Sequence, residues 1–196
     1  MLNQEQQASI GQFVSNLTDE EKQKLLEISE IKAFENKGVI LKSGIRTKKA
    51  FLVIEGSVRG YVLDSSGQEV NILLRSKGIF VADADAIFGD QPQKLTIVSM
   101  DKTKVLMFSI TDFERLALEH QGIQALYTSS LKEAILRLSY RVNSMITMTS
   151  EQRYLDLLEM NPDFLKDAYD KYVANYLGIT AVSFSRIKKK LNNSRT

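Results

Sequence analysis

The sequence contains no cysteine and a single histidine, His120. Without cysteine the chain has no disulfide framework, no thiolate zinc site, no iron–sulfur cluster with its usual ligands and no cysteine nucleophile. A single histidine argues against a multi-histidine metal site and against a Ser-His-Asp catalyst. We therefore expect no metal, no cofactor and no enzymatic chemistry, and we interpret His120 as a polar residue at a helix end.

Long apolar runs are also absent, and none approaches the ~18 residues that a membrane helix needs. The first residues, MLNQEQQASIGQF, have neither the basic nor the apolar region of a signal peptide. We expect a cytoplasmic protein with no membrane partner. The length of 196 residues suits one or two domains with cores of their own.

The net charge of +2 hides an uneven distribution along the chain. Residues 171–196 contain six lysines and arginines and no acidic residue, so this segment carries +6 and residues 1–170 carry −4. A basic terminal segment is typical of a protein that binds a polyanion, either nucleic acid or a membrane surface. A solvated lysine-rich tail explains the charge alone equally well.

Short β-rich runs recur between Ala33 and Ser109, separated by turn signals such as Lys42-Ser43-Gly44 and residues 64–67. The runs are Val39-Ile40-Leu41, Phe51-Leu52-Val53-Ile54, residues 58–63, residues 70–74, Thr96-Ile97-Val98 and residues 105–108. Strands at such close spacing predict an antiparallel sandwich or barrel.

Helical patterns flank this region. Thr18, with Glu21 three residues later, predicts a capping box. After the strands, Thr111 is the expected N-cap of a helix beginning at Asp112. A later helix opens near Ser150, and Asn161-Pro162 is expected to end it, because a residue before proline is disfavoured in helical conformation.

A long segment from Ile123 to about Thr149 has neither proline nor glycine. Its apolar residues at a 4-3-4-3 spacing form a heptad seam over two repeats. The seam residues are Leu131, Ile135, Leu138, Val142 and Met145. Ordinary core packing would also give such a stripe. A second apolar set (Leu126, Ala134 and Leu136) could cover the β-domain while the seam meets a copy of itself, and this favours a symmetric dimer helix.

Residues 172–191 have the layout of a helix-turn-helix. Ala174 is small enough for a close helix crossing, Gly178 supplies the turn and Thr180 can cap the second helix. On that helix Phe184, Ile187 and Leu191 share one face, and polar residues and cations occupy the other. The candidate DNA-binding residues are Thr180, Val182, Ser183, Ser185, Arg186, Lys188 and Lys189. An amphipathic helix with a lysine face is the plainer alternative.

With these residues in view, nearly the whole chain resembles the cyclic AMP receptor protein / fumarate-nitrate regulator (Crp/Fnr) family of transcription factors. Gly44, Gly56 and Gly78 stand where that family's β-roll has turn glycines, and Ser185-Arg186-Ile187 matches its recognition-helix core. The resemblance implies an α+β fold: a cyclic-nucleotide-binding-like antiparallel β-roll (jelly roll), a long dimerisation helix and a C-terminal helix-turn-helix. The expected boundaries are 1–116, 117–149 and 150–196. It also implies that Arg186 contacts guanine, for which its planar fork is suited.

The sequence departs from the family's cyclic AMP binders, which carry Gly-Glu and then Arg-Ser. Here the corresponding stretches contain Asp83 and Asp85 and then Lys94 and Thr96, which are the candidate effector-pocket residues. Asp83 is a candidate for the ribose-binding carboxylate, Lys94 is a weaker point charge than arginine, and Asp85 would repel a phosphate. We expect no cyclic AMP binding.

The leading hypothesis is a homodimeric, sequence-specific regulator of transcription that binds an inverted repeat in double-stranded DNA. Its β-roll either senses an unidentified small-molecule effector or only supports the dimer. The resemblance also makes RNA polymerase a candidate partner. A ligand-sensing or scaffold protein whose helix-turn-helix binds another protein is the second hypothesis. An enzyme is the third, although no motif places two carboxylates in one cleft.

Overall fold

A computed structural model describes residues 10–193 apart from residue 12 and residues 161–169. The helices are α1 (Asp19–Glu27), α2 (Ala84–Phe88), α3 (Ile110–Glu119), α4 (Gln121–Thr147), α5 (Ser150–Met160), α6 (Asp170–Leu177) and α7 (Ala181–Asn193). The strands are β1 (Ser29–Phe34), β2 (Val39–Leu41), β3 (Lys49–Glu55), β4 (Ser57–Leu63), β5 (Glu69–Ser76), β6 (Phe80–Ala82), β7 (Thr96–Ser99) and β8 (Thr103–Ser109). The expected helix stop at Asn161-Pro162 lies outside the described residues.

The strands form two four-stranded sheets, in the orders β1-β8-β3-β6 and β2-β7-β4-β5, and every pairing in them is antiparallel. The two sheets enclose apolar side chains such as Phe51 and Ile97, both with no exposed surface. The predicted antiparallel roll and α+β fold class are therefore confirmed. Gly44, Gly56 and Gly78 all have φ near +80°, as the turn positions require.

Two strands were not predicted from the sequence. β1 contains Glu30 and Lys32 and is mostly exposed, so its composition resembles a surface loop. It pairs on one side only, with β8, at the edge of its sheet. β6 has three residues and leads directly into the five-residue α2. Both elements owe their conformation to neighbouring strands rather than to a hydrophobic period of their own.

The caps of the helices set where they begin. The Thr18–Glu21 capping box is present, and Glu21 also accepts a hydrogen bond of 2.8 Å from the backbone N–H of Gly122, near the start of α4. The hydrogen bond from the backbone of Thr18 lowers the pKa of Glu21 below its ordinary value. The expectation for Thr111 is wrong: α3 begins at Ile110, and Ser109 caps it with a hydroxyl that accepts from the Asp112 N–H. Ser109 has the extended backbone of an N-cap, whereas Thr111 is already helical.

The long α4 packs on the roll only near its start. Ile123 is fully buried and Leu126 packs against the roll's core. The expectation that Ala134 and Leu136 also cover the β-domain is wrong, because both are exposed, Leu136 to 69%. The break between α3 and α4 falls at His120, which ends one helix and precedes the next.

The C-terminal helices α5, α6 and α7 share their hydrophobic core with the roll. Their buried side chains include Tyr154, Leu157, Val173, Ala174, Leu177 and Phe184. The same cluster contains Leu74 of β5 and Met100, which follows β7. The helix-turn-helix is therefore docked on one end of the roll by apolar contacts as well as by the chain connection.

A polar cluster centred on the buried side chains of Arg59 and Asn71 fixes this docking, and its other members are Glu69, Tyr172 and Asn175. The Arg59 side chain donates to Asn71 Oδ1 at 2.9 Å and pairs with Glu69 Oε2 at 2.7 Å. Its guanidinium lies 4.2 Å from the centre of the Tyr172 ring, which belongs to α6. We call these five residues the Arg59 cluster.

The amides of the Arg59 cluster join β5 to α6 directly. Asn175 donates to the Glu69 carbonyl at 2.9 Å and accepts from the Asn71 N–H at 2.5 Å. Asn71 in turn donates to the Tyr172 carbonyl at 3.0 Å. Since Arg59 and Asn71 are 7% and 2% exposed, their polar atoms depend on these partners rather than on water.

The first prediction concerns this cluster. Asn175→Ala removes the partners of the Asn71 N–H and the Glu69 carbonyl, and should lower the free energy of unfolding by about 1–3 kcal/mol. Urea denaturation followed by circular dichroism measures the change. Asn143→Ala, on the exposed part of α4, is the control and should change stability by less than about 0.5 kcal/mol. Equal effects of the two substitutions would show that the cluster does not hold the domains together.

Candidate nucleic-acid interface and effector pocket

The helix-turn-helix predicted from the sequence is formed by α6, the turn at residues 178–180 and α7. Gly178 has φ +73°, a left-handed conformation that favours glycine. A Cβ on Gly178 would lie 3.2 Å from Cε of Met145, so the turn is also packed closely against the end of α4. Ala174 is 1% exposed at the crossing of the helices. The hydroxyl of Thr180 accepts a hydrogen bond of 3.1 Å from the Ser183 N–H and so caps α7.

The two faces of α7 differ as the sequence predicts. Phe184 is 2% exposed and its ring packs edge-on against Tyr154, with the centroids 4.9 Å apart. Ile187 and Leu191 pack against the same core. On the opposite side the exposed residues are Ala181, Val182, Ser185, Arg186, Lys189 and Lys190. Val182 is 63% exposed, and Ser183, which shares a hydrogen bond with Thr180, is half-buried.

The cations of α7 divide into two groups. The Lys188 ammonium pairs with Asp170 at 2.8 Å and that of Lys190 pairs with Glu151 at 2.8 Å, so each holds α7 to another helix. In the described part of the chain, Arg186 and Lys189 have no ion-pair or hydrogen-bond partner. Arg186 and Lys189 are therefore the cations of this face that are free to meet an anion, whereas Lys188 already has a carboxylate.

The candidate effector residue Asp83 has a structural task. It is 2% exposed, and one oxygen accepts from the N–H groups of Asp85 and Ala86 as the N-cap of α2. The other accepts from the N–H groups of Lys94 and Leu95, each at 2.8 Å. Both oxygens are thereby engaged, and the carboxylate ties α2 to the segment before β7.

The other three candidates also pair within the protein. The Lys94 ammonium lies 2.8 Å from a carboxylate oxygen of Asp85, whose hydrogen bond raises the pKa of Lys94 above its usual value. The Thr96 hydroxyl donates to the Ser43 hydroxyl at 3.1 Å. Asp83 and Asp85 thus surround the one cation that the sequence offers for a phosphate in this segment.

A cavity of about 480 Å³ lies instead between the roll and α4. Its walls come mainly from β5, β6, α2 and α4, with further residues from α3, α5 and α6, and include Ile72, Phe80, Ile87, Phe88, Leu131 and Leu138. None of Asp83, Asp85, Lys94 and Thr96 lines it. Only scattered apolar residues in the sequence point to this cavity, because the roll and α4 lie far apart along the chain.

Two further observations bear on the chemistry of the molecule. Across residues 10–11, 13–160 and 170–193, no three His, Asp or Glu side chains are grouped in a way that could hold a metal ion. No helix in the same described ranges is both long enough and apolar enough to cross a bilayer.

Comparison with known proteins agrees with this geometry. Residues 31–120 match the family described as cyclic nucleotide-binding domain. No curated protein sequence matches the chain.

Three solved structures illustrate the structural likeness. The c-di-GMP responsive global regulator CLP from Xanthomonas campestris has 13% identity and a TM-score of 0.70, over 90% of this chain and 93% of CLP. A CooA mutant from Carboxydothermus hydrogenoformans has 16% identity and a TM-score of 0.69, over 87% of this chain and 79% of CooA. The sensor domain of the transcriptional regulator DNR from Pseudomonas aeruginosa has 19% identity and a TM-score of 0.57, over 73% of this chain and 95% of that domain.

At these identities the structures establish the fold, and the matched segment spans the roll from β1 through α3. Residues 31–120 thus match the cyclic nucleotide-binding domain family, and the chain as a whole has the fold of the Crp/Fnr-type transcription regulators.

Proposed function

We propose that the protein is a homodimeric transcription regulator that binds DNA in a sequence-specific way through α7. The observation that carries the proposal is the exposed face of α7, the second helix of a helix-turn-helix. On this face the side chains of Arg186 and Lys189 are exposed and have no partner among the described residues. In such a motif the second helix enters the major groove, and its N-terminal residues contact base edges. The fold shared with transcription regulators supports the same assignment.

The position of each side chain suggests its task. Thr180 caps α7, and Val182, Ser183, Ser185 and Arg186 lie in its first half, where base edges are contacted. Arg186 can donate two parallel hydrogen bonds to O6 and N7 of guanine. Lys189 lies one turn further on, where contacts to phosphate are expected. In a twofold dimer the two helices would meet successive major grooves about 34 Å apart, on an inverted repeat.

The second prediction separates these tasks. Arg186→Ala should weaken binding to the preferred sequence by about 1–3 kcal/mol per lost contact and relax the preference for guanine at one symmetric pair of positions. Lys189→Ala should weaken binding to all sequences alike and reduce the salt slope by about one unit per lost contact. Fluorescence anisotropy with the preferred and a scrambled duplex, between 50 and 200 mM salt as is usual for such titrations, measures both.

Lys32→Ala on β1 removes one positive charge far from α7 and is the control, with no expected change in slope. Lys188→Ala should have a smaller effect on the salt slope than Lys189→Ala, because Lys188 already pairs with Asp170. Equal losses for the preferred and the scrambled duplex in Arg186→Ala, or binding insensitive to salt, would contradict the proposal. In that case a protein partner for α7 becomes the better interpretation.

The proposed dimer rests on the uncovered seam of α4. Ile135, Leu138, Val142 and Met145 are 66%, 65%, 49% and 43% exposed, and Leu131 is half-buried. A continuous apolar stripe of this length on a helix is rarely left in water. Its heptad spacing allows the same stripe of a second copy to pack against it.

The third prediction tests the seam. Ile135→Asp is suited to it because Ile135 belongs to the seam and does not line the cavity. The substitution would bury an unpaired charge in each protomer, which should cost several kcal/mol. Sedimentation velocity should then report a monomer, while the wild type sediments as a dimer. Leu118→Asp, at an 87% exposed leucine of α3, is the control and should remain dimeric. A dimeric Ile135→Asp protein would place the interface elsewhere.

We also propose that the roll senses an effector other than cyclic AMP. Asp83 has no free oxygen for a ribose, and the charge of Lys94 is offset by Asp85. The cavity beside α4 is lined by neither residue. The effector would therefore be recognised by different contacts from those of the family's cyclic AMP binders.

The fourth prediction follows from this arrangement. Calorimetric titration of the full chain with cyclic AMP should show no saturable heat. Asp85→Ser removes the carboxylate beside Lys94 and should not by itself create a site, because Asp83 remains engaged by four backbone N–H groups. A micromolar dissociation constant for the wild type would overturn the prediction.

A further inference from the structure

The cavity between the roll and α4 has an uneven distribution of charge. Most of its wall is apolar, and includes Ile72 and Phe88, which are 44% and 59% exposed. Its charged lining residues are three arginines, Arg75, Arg137 and Arg141, against the single acid Glu133. The cavity therefore combines an apolar body with a net positive lining.

The three arginines differ in the partners that their guanidinium groups have within the protein. Arg137 forms an ion pair with Glu133. Arg141 stacks on the Tyr176 ring at 4.0 Å and donates to its carbonyl. Arg75 donates to the carbonyl of Leu74 at 2.8 Å. Within the described residues no carboxylate lies within ion-pair distance of Arg75 or Arg141. Arg141 is engaged by both the ring and the carbonyl of Tyr176, so Arg75 is the arginine with more hydrogen-bonding capacity left for an anion.

Arg75 is half-buried, and the partial desolvation of its guanidinium lowers the pKa of Arg75 below its usual value. Tyr176 and Glu133 partly offset this effect, and Arg137 reinforces it. A guanidinium that is poorly hydrated and has no counter-ion gains strongly from an anion that can accept its hydrogen bonds. Carboxylates and other planar or tetrahedral oxyanions fit its fork.

We propose that this cavity binds a small amphipathic anion, with an apolar body against its apolar wall and an anionic head that pairs with Arg75. A volume of about 480 Å³ is within the range of small-molecule sites. The proposal rests on the proposed function, since it names the class of effector that the regulator would sense.

The position of the cavity explains how such a ligand would act. Leu131 and Leu138 belong both to the cavity wall and to the seam of α4. Tyr176, which also lines the cavity, belongs to α6 of the helix-turn-helix. A ligand there contacts the roll, the dimer helix and the DNA-binding helices at once, so it can favour one arrangement of the three over another.

Calorimetry on the full chain with octanoate and with octan-1-ol tests the proposal. The two ligands share an apolar chain, and only octanoate carries a charge. Octanoate should bind the wild type at one site per chain, and Arg75→Met should weaken it at least tenfold, while the weaker binding of octan-1-ol stays unchanged. Arg75→Lys keeps the charge and should recover part of the affinity. Arg115→Met, at an arginine of α3 outside the cavity, is the matched control.

Three results would overturn the proposal: no saturable octanoate binding, equal affinities for octanoate and octan-1-ol, or unchanged octanoate affinity in Arg75→Met. If octanoate does not bind and Arg75→Met alters the dimer in sedimentation, the cavity wall is part of the protein interface. If circular dichroism shows that Arg75→Met is unfolded, two other measurements test the proposal: the octanoate affinity of Arg75→Lys, and the difference between octanoate and octan-1-ol on the wild type. DNA binding without octanoate binding rejects this inference alone, and octanoate binding without DNA binding rejects only the proposed function.

Discussion

The side chain of Arg59 is the contact on which the arrangement of the whole molecule depends. Arg59 is 7% exposed, so its hydrogen bonds and its charge must be satisfied by the protein, and Glu69, Asn71 and the rings of Tyr61 and Tyr172 supply these contacts. One of these partners, Tyr172, belongs to α6. The roll cannot release the helix-turn-helix without leaving a buried charge with fewer partners, so the docked arrangement is strongly preferred.

This docking has consequences for the rest of the molecule. Because Leu74 and Met100 complete the core under α6 and α7, the exposed face of α7 is presented in a fixed direction relative to the roll. The ion pairs of Lys188 and Lys190 hold α7 to α6 and α5, and Arg186 and Lys189 remain exposed. The cavity beside α4 lies at the same junction, with Tyr176 in its wall. In our account, sensing and DNA binding therefore share one set of contacts.

Local patterns in the sequence predicted much of this structure. The capping box at Thr18, the turn at Gly178 and the buried face of α7 each depend on residues close together in the chain, and all are present. Most strands were also predicted from runs of β-branched and aromatic residues. β1 and β6 did not, since one is polar and the other has three residues, and pairing with β8 and β3 makes them strands. The cap at Ser109 instead of Thr111 shows that two adjacent hydroxyl residues cannot be ranked without the backbone.

Contacts between distant residues could not be predicted. Arg59 lies between Val58 and Gly60 in a strand, where an arginine is normally exposed, and its partners come from β5 and α6. The partners of Lys188 and Asp83 were equally hidden in the sequence. Lys188 pairs with Asp170 and is therefore not a free cation. Asp83 accepts hydrogen bonds from four backbone N–H groups and is therefore a structural residue. The uncompensated Arg75 likewise becomes visible only when β5 and α4 are seen together. In each case burial, which the sequence does not record, decides what a charged residue does.

Selection of bound duplexes from a random DNA pool by the wild-type protein, followed by sequencing, tests whether α7 binds DNA as part of a twofold dimer. We expect enrichment of an inverted repeat whose half-site centres lie about one helical turn, roughly 34 Å, apart, with a guanine specified in each half-site. Enrichment of a site without twofold symmetry, or no enrichment at low salt, would contradict a dimer that binds DNA through the exposed face of α7.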